Sequence, residues 1–310
     1  MKFGGLNIAD IKHGGLPIEK VMHGSNLVWE KYVYLLDLYV GAAVGFSFIK
    51  LRAAYSGSCV RVRRSSDNTE LDIGFNSIFF DSDALAAFCG ASDGFVVKLY
   101  DQSLNGNDLE QTTAALQPKI YDSLTGIVLI NGLPGFFHNE SYLENATKTA
   151  ASTSTIFITG NIDTSDTTNA SYVGYPAAGT SKYLGLYFWG SVVDKYFGFN
   201  TWNGDSYGYG GADSDVGSQS IITALVKDGD PNTSGVKLFH NGTEKTLSQV
   251  RSTSVSRNAI DGLYLGRGGA VTGNQELVGY VQELLIWDND LTGADRLIIE
   301  ANINNRFSIF

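Results

Sequence analysis

Residues 51–75, LRAAYSGSCVRVRRSSDNTELDIGF, and residues 98–111, KLYDQSLNGNDLEQ, carry the information that decides the fold. In the first, the run from Cys59 to Arg64 lies between Tyr55-Ser56-Gly57 and a Ser-Ser-Asp-Asn cluster. In the second, an apolar run beginning near Gly94 ends in Tyr100-Asp101-Gln102-Ser103. Short apolar runs closed at both ends by Gly, Asn, Asp and Ser read as strands joined by tight turns. The same texture recurs at residues 155–159, 183–189, 195–200, 220–227, 236–240, 262–265 and 279–287. His240-Asn241-Gly242-Thr243 is the clearest hairpin, because Asn-Gly tolerates positive φ at both central positions. Many short strands with polar turns predict a β-sandwich.

Composition agrees. The 310 residues are 43% hydrophobic, enough for a large core, and the 36 glycines, 16 tyrosines and 17 phenylalanines favour strands and turns. A formal net charge of −10, with no basic run longer than Arg61-Val62-Arg63-Arg64, argues against nucleic acid as a partner. The two cysteines, Cys59 and Cys89, are too few for a disulfide framework and lack metal-ligand spacing, which suits a reducing compartment. No apolar leader is visible. The run from Tyr32 to Ile49 carries Asp37 and small residues, so it reads as a buried strand leading to a short helix, with no membrane insertion.

Two helices are predicted. Asp81-Ser82-Asp83 opens one that Gly90 stops. Thr292-Gly293-Ala294-Asp295 opens a C-terminal one through Asn304, with Leu297, Ile298, Ala301 and Ile303 available for burial.

Residues 2–31 repeat one ten-residue phrase three times: Phe3-Gly4-Gly5-Leu6, His13-Gly14-Gly15-Leu16 and His23-Gly24-Ser25-Asn26 start its copies. Each copy reads as a turn followed by a strand, giving a three-strand meander over residues 7–11, 17–21 and 26–29. The expected boundaries are residues 1–32 for this module and 33–310 for the sandwich.

Two resemblances sharpen the reading. The repeats, ending in Asn26-Leu27-Val28-Trp29-Glu30, resemble N-terminal segments of structural proteins of tailed bacteriophages. That resemblance implies an attachment module whose contacts would be Ile8, Ile11, Ile18, Val21, Val28 and Trp29. Residues 51–111 resemble the catalytic domain of the fungal arabinofuranosidase B family, through Tyr55-Ser56-Gly57, the Arg-rich strand and Tyr100-Asp101-Gln102-Ser103. The C-terminal GYVQELLIWDNDLTGADRLIIEANIN also resembles laminin-G-like jelly rolls of phage and bacterial surface proteins. Both imply an all-β, concanavalin A-like jelly-roll sandwich with a small N-terminal β-meander and a short C-terminal helix.

A retaining glycosidase needs a nucleophilic carboxylate and a carboxyl acid about 5 Å apart. The family resemblance implies a Glu before an Ile-Tyr-Phe-Gly strand and an Asp after a Leu-Gly-x-Gly-Gly turn. Here Leu184 and Ala270 occupy those places, and the family's adjacent cysteine pair has no counterpart. The partner expected for the Phe88-Cys89 cysteine is likewise replaced, with Gly94 near its place. Alkyl groups neither form a glycosyl ester nor donate a proton, so the chain is expected not to be an enzyme.

Remaining acids that could pair in space are Asp205, Asp213, Asp215, Glu276 and Glu283. Asp213-Ser214-Asp215 has the alternation of a calcium loop but lacks the glycine and distal Glu, so no cofactor is implied. The aromatic stretch 183–209 offers Trp189, Trp202, Tyr207 and Tyr209 as a surface for sugar rings, with Asp101 and Gln102 as loop contacts. Core packing and turn capping are the competing roles for these residues. The functional expectation is therefore a virion protein, assembled in the host cytoplasm and displayed on tail or capsid as a homo-oligomer. It would contact other virion proteins through residues 1–32 and host glycans through the sandwich. A purely architectural component and an arabinofuranosidase-type hydrolase are the alternatives.

Overall fold

A computed structural model describes the backbone of the chain except residues 1, 4–5, 8–10, 14–15, 19, 24–25, 31, 150, 152, 164–169, 177–182, 191–194, 202–204, 211–216, 228–234, 253–260, 269–275 and 292. Side chains are described from residue 32 onward, apart from 149, 176, 183–184, 187–190, 195–196, 199–201, 205–207, 209–210, 249–252 and 261 as well.

Before residue 31 the strands form three separate hairpins. Lys2–Phe3 pairs with Leu6–Asn7, Ile11–His13 with Leu16–Ile18, and Lys20–His23 with Asn26–Glu30. Each repeat is thus strand, two residues, strand, and the Gly-Gly or Gly-Ser pairs fall between paired strands instead of ahead of one. The expected three-strand meander is corrected accordingly. Small residues that accept positive φ suit the middle of a two-residue hairpin connection.

The run after Tyr32 also differs in order from the expectation. A single helical turn, Leu35–Leu38, comes first, and the strand β1 (Ala42–Ser47) follows. Then come β2 (Val60–Arg64), β3 (Glu70–Ile73), helix α1 (Ser82–Cys89), β4 (Gly94–Leu99), β5 (Leu109–Glu110) and β6 (Lys119–Asp122). Helix α1 starts where its sequence says: the Asp81 carboxylate accepts from the Ala84 amide at 3.0 Å, and Gly90, at φ +57°, ends it. Next are β7 (Phe136–Asn139), β8 (Leu143–Thr149), β9 (Ser154–Ile162) and β10 (Ala170–Pro176). The aromatic strands are β11 (Tyr183–Gly190), β12 (Lys195–Thr201) and β13 (Asp205–Gly210). The chain closes with β14 (Ser220–Val226), β15 (Val236–His240), β16 (Ser248–Ser252), β17 (Asp261–Leu265), β18 (Val278–Trp287) and helix α2 (Gly293–Phe307).

These strands make two antiparallel layers. The front runs β3-β2-β4-β5-β8-β17-β10-β11-β12-β13-β16. The back runs β15-β14-β9-β18, and the far edge of β18 is shared by β1 along residues 283–287 and β7 along 278–281. Strand β6 joins the layers by pairing with both β4 and β7.

The back layer is apolar on both faces. In β18, Leu284 and Ile286 enter the core between the sheets, while Leu285 and Trp287 enter a second core beneath α2. Strand β9 divides the same way, with Ile156 and Ile158 on one side and Phe157 on the other. Side chains alternate along a strand, so a strand covered on both faces reads as an unbroken apolar run.

Helix α2 is longer than expected and buries Ile303 as expected, but not Leu297, Ile298 or Ala301. Arg296, Ile299, Glu300, Ile303 and Phe307 are buried, while Leu297 and Ile298 are each 53% exposed. The charges tolerate burial because they satisfy one another. Arg296 bonds Glu300, stacks over Phe239 at 3.7 Å, and Glu300 accepts from the Thr223 hydroxyl at 2.6 Å.

Candidate functional site

Segment 101–107 packs along the free edge of β1. The Asp101 carboxylate accepts from the Gly45 amide (2.9 Å), the Ser103 amide (2.9 Å) and hydroxyl (2.6 Å), and the Asn107 amide (3.0 Å). Gln102 accepts from the Leu51 amide at 2.8 Å and donates to the Ser47 carbonyl at 2.7 Å. Both side chains are buried, and their bonds stand in for a neighbouring strand. Asp101 and Gln102 are thereby corrected from ligand contacts to the residues that close a sheet edge.

Glu283 is also spoken for. It lies fully buried in β18, where the Arg306 guanidinium of α2 meets both its oxygens, one at 2.7 Å. Of the other expected residues, Trp202, Asp213, Asp215, Ala270 and Ile8 lie outside the described residues. Trp189, Tyr207, Tyr209 and Asp205 lie on β11 and β13, and Leu184 pairs with Tyr175 of β10 and Thr201 of β12. Ile11, Ile18, Val21, Val28 and Trp29 lie on the N-terminal hairpins.

The described residues place a polar and aromatic cluster elsewhere, on the outer face of the front layer where β8 and β17 run side by side. Leu143, Leu263 and Leu265 point into the core, so Tyr142, Glu144 and Tyr264 face outward. Glu144 is the register partner of Tyr264 and accepts its hydroxyl proton. Burial, and then the Glu144 charge, push the Tyr264 hydroxyl up to about 12. The rings of Tyr142 and Tyr264 meet edge to face at 5.6 Å. Arg267 covers both, 4.6 Å from the centre of Tyr142 and 5.8 Å from that of Tyr264. It also reaches Glu276 at 3.3 Å, and the two residues pair through their backbones.

The turn that presents Arg267 is tightly held. Gly266 adopts φ +85°, donates to the Tyr172 carbonyl at 2.8 Å and accepts from the Leu277 amide at 2.8 Å. A Cβ at Gly266 would lie 2.3 Å from the His138 ring, and one at Gly174 would lie 2.5 Å from the Arg267 carbonyl oxygen. Two glycines therefore let the turn lie flat against β10 and His138. His138 is fully buried, and its Nδ1 sits 2.7 Å from the Ser141 carbonyl. Burial lowers its pKa to about 4, so it is neutral at pH 7 and Nδ1 is the donor.

Of this cluster the sequence pointed only to Glu276. Residues 142–144, 264–267 and 276 are brought together by strand pairing across more than a hundred residues, which no local periodicity records. The Leu-Gly-Arg-Gly-Gly turn was the available signal, because glycines flanking one long charged residue mark a presented side chain. Among the described residues no group of three His, Cys, Asp or Glu could hold a metal ion.

Two carboxylates, a guanidinium and two tyrosines on a rigid sheet make a surface with hydrogen-bonding groups for hydroxyls beside rings that pack against C–H faces. That is the chemistry of carbohydrate recognition. The class defined by fold and site is thus a β-sandwich with a sugar-suited face.

The comparisons narrow it. A family model for the catalytic domain of α-L-arabinofuranosidase B matches residues 42–126, from β1 through β6. Among solved structures, an arabinofuranosidase complexed with arabinofuranosyl-α-1,2-xylobiose superposes with a TM-score of 0.59 at 18% identity, over 87% of this chain and 64% of its own. A GH54 α-L-arabinofuranosidase soaked with a cyclic sulfate inhibitor gives 0.59 at 16% identity, and a mutant soaked with 4-nitrophenyl α-L-arabinofuranoside gives 0.60 at 16%, each over 87% of this chain and 65% of its own. The chain therefore spans about two-thirds of the length of these enzymes, just short of it. No curated protein matches it by sequence. The fold is an all-β sandwich related to that of the arabinofuranosidases.

These matches overturn the expectation of a tailed-phage virion protein, and with it the virion partners, the particle location and the non-catalytic adhesion role. That expectation leaned on a repeat skeleton of few fixed positions. Any short hairpin with small residues between two apolar strands meets its requirements, whereas the arabinofuranosidase likeness runs through the whole sandwich.

Proposed function

We propose that the chain is a glycoside hydrolase of the arabinofuranosidase type, acting on α-linked arabinofuranosyl groups at the face of β8 and β17. The single observation that carries this reading is the family-model match over residues 42–126 within a sandwich that superposes on arabinofuranosidases as a whole. We also propose that the sandwich is of the concanavalin A-like jelly-roll type, on the strength of its two stacked antiparallel layers, and that residues 1–32 form a separate unit.

The family resemblance of the sequence implies carboxylates at the places that Leu184 and Ala270 hold. Hydrolysis by this chain then draws on other acids, and Glu144 and Glu276 flank the Arg267 turn. Glu276, which reaches the Arg267 guanidinium, and Glu144, which accepts from the Tyr264 hydroxyl, are the two carboxylates that we propose as the catalytic pair.

The test is release of 4-nitrophenol from 4-nitrophenyl α-L-arabinofuranoside by the full chain. Turnover is expected, with loss of at least about a hundredfold in kcat for Glu144→Gln and for Glu276→Gln. No turnover by the wild type would overturn the proposal. Gain of turnover in a Leu184→Glu, Ala270→Asp double variant would then show that the face binds the sugar but lacks its carboxylates.

A further inference from the structure

A second concavity lies where β6 and β7 bridge the two layers, a cleft of about 660 Å³ lined by residues of β4, β6, β7 and β18. The chain from Asn139 to Tyr142 separates it from the arabinofuranosyl face, Asn139 and Ser141 lining the cleft and Tyr142 the face.

Its floor is aromatic. Phe137 and Tyr280 are cross-strand partners whose ring centres lie 4.7 Å apart at 43°, and both are part-exposed. Phe95 faces the same space. Its ring is flanked by the cations of Arg63 at 5.1 Å and Lys119 at 5.8 Å.

The lysine lining the cleft is already paired. Lys119 is clasped by Asp93 at 2.9 Å and Asp122 at 3.0 Å, so it has little to offer an anion. In contrast, no hydrogen bond to another described residue is made by the Asn139 side-chain carboxamide, the Thr125 hydroxyl or the Tyr280 hydroxyl, which suits a ligand with hydroxyl groups of its own.

Rings for C–H faces, neutral donors and acceptors at the rim, Lys119 clasped by two carboxylates, and Arg63 bonded to Gln117, Asn68 and the Ala114 carbonyl fit a neutral sugar as the occupant. We propose that this cleft is a second saccharide-binding site, which holds a backbone sugar of the polymer whose arabinofuranosyl branch is cut. Only the choice of polymer rests on the hydrolase reading. A phosphorylated or otherwise anionic ligand is disfavoured by the clasped Lys119 and by the net charge of −10.

The test is affinity electrophoresis of the full chain through gels containing an arabinofuranosyl-substituted xylan, alongside turnover of 4-nitrophenyl α-L-arabinofuranoside. Wild-type retention is expected, reduced about tenfold in affinity by Tyr280→Ala and by Phe137→Ala. Small-substrate turnover should not change. Thr125→Arg, at an exposed position on the rim, should weaken retention by blocking entry without touching the aromatic floor, and so controls for misfolding. Retention equal in wild type and all three variants, or absent from the wild type, overturns the inference. Retention that the variants lose, in a protein without turnover, supports this site while overturning the hydrolase reading; turnover with no retention does the reverse.

Discussion

His138 shows how one side chain serves the fold and, through it, the site. The imidazole fills the space beneath Gly266, and its pKa near 4 lies well below the roughly 6.5 of an unfolded chain. The unfolded state therefore takes up the proton first as pH falls. Stability from this group is complete above about pH 6.5 and is lost progressively toward pH 4, about 2 kcal/mol of it by pH 5. Urea unfolding at the two pH values should show that loss, and His138→Phe should remove this part of the slope. Gly266→Ala should cost about 3 kcal/mol in the same assay, from positive φ and collision with the imidazole. His138→Ala in the same chain should recover part of it, leaving the backbone strain. At this scale the sequence marked Asp101, Gln102 and Glu283 as polar residues worth attention. It offered turn capping as well as ligand contact for Asp101 and Gln102, and which of the two holds depends on the backbone of β1, as the pairing of Glu283 depends on the approach of α2.

At the scale of elements, α2 holds to the back layer through charges as well as apolar contacts. Removing the cation in Arg306→Met leaves Glu283 buried and unpaired, so an unfolding midpoint should report a loss of about 3–5 kcal/mol. The double variant Arg306→Met, Glu283→Leu should recover most of it. The helix was legible as amphipathic, and of the residues expected to be buried Ile303 is buried while Leu297, Ile298 and Ala301 are exposed; Arg296 and Glu300 take part in the buried face. Only their mutual pairing and the Phe239 ring make that burial tolerable. Helix α1 and β4 offer another test. A Cβ on Gly94 would sit 2.6 Å from the Cys89 sulfur, close to what a disulfide requires. Gly94→Cys should oxidise with Cys89, read as loss of the variant's accessible thiols after denaturation. Contacts with Tyr121 and Val62 limit any gain to at most about 2 kcal/mol.

At the scale of the molecule, the two cores formed by the described side chains draw on residues 35–307, with β18 contributing to both, and we propose that residues 1–32 are a separate unit. Deleting residues 1–31 should therefore leave the thermal midpoint of the sandwich within about 3 °C, measured by circular dichroism; a shift several times larger would join the hairpins to the core. The proposed cleft site and the proposed face of β8 and β17 meet at the 139–142 segment, Asn139 and Ser141 lining the one and Tyr142 the other. A polymer bound at both would span it, so cleft variants should lower turnover of the polymer more than turnover of the small substrate.

The sequence by itself determined the β-sandwich, the turns at Asn241-Gly242 and Gly90, the two helices, and the likeness of residues 51–111 to the arabinofuranosidase B catalytic domain, because these are written in local runs of neighbouring residues. Tertiary structure alone decided which polar side chains are spent on sheet edges and buried pairs, and which remain at a surface. Pairing β8 with β17, and β7 with β18, brings together residues more than a hundred positions apart, and a period of two records only which face a side chain takes.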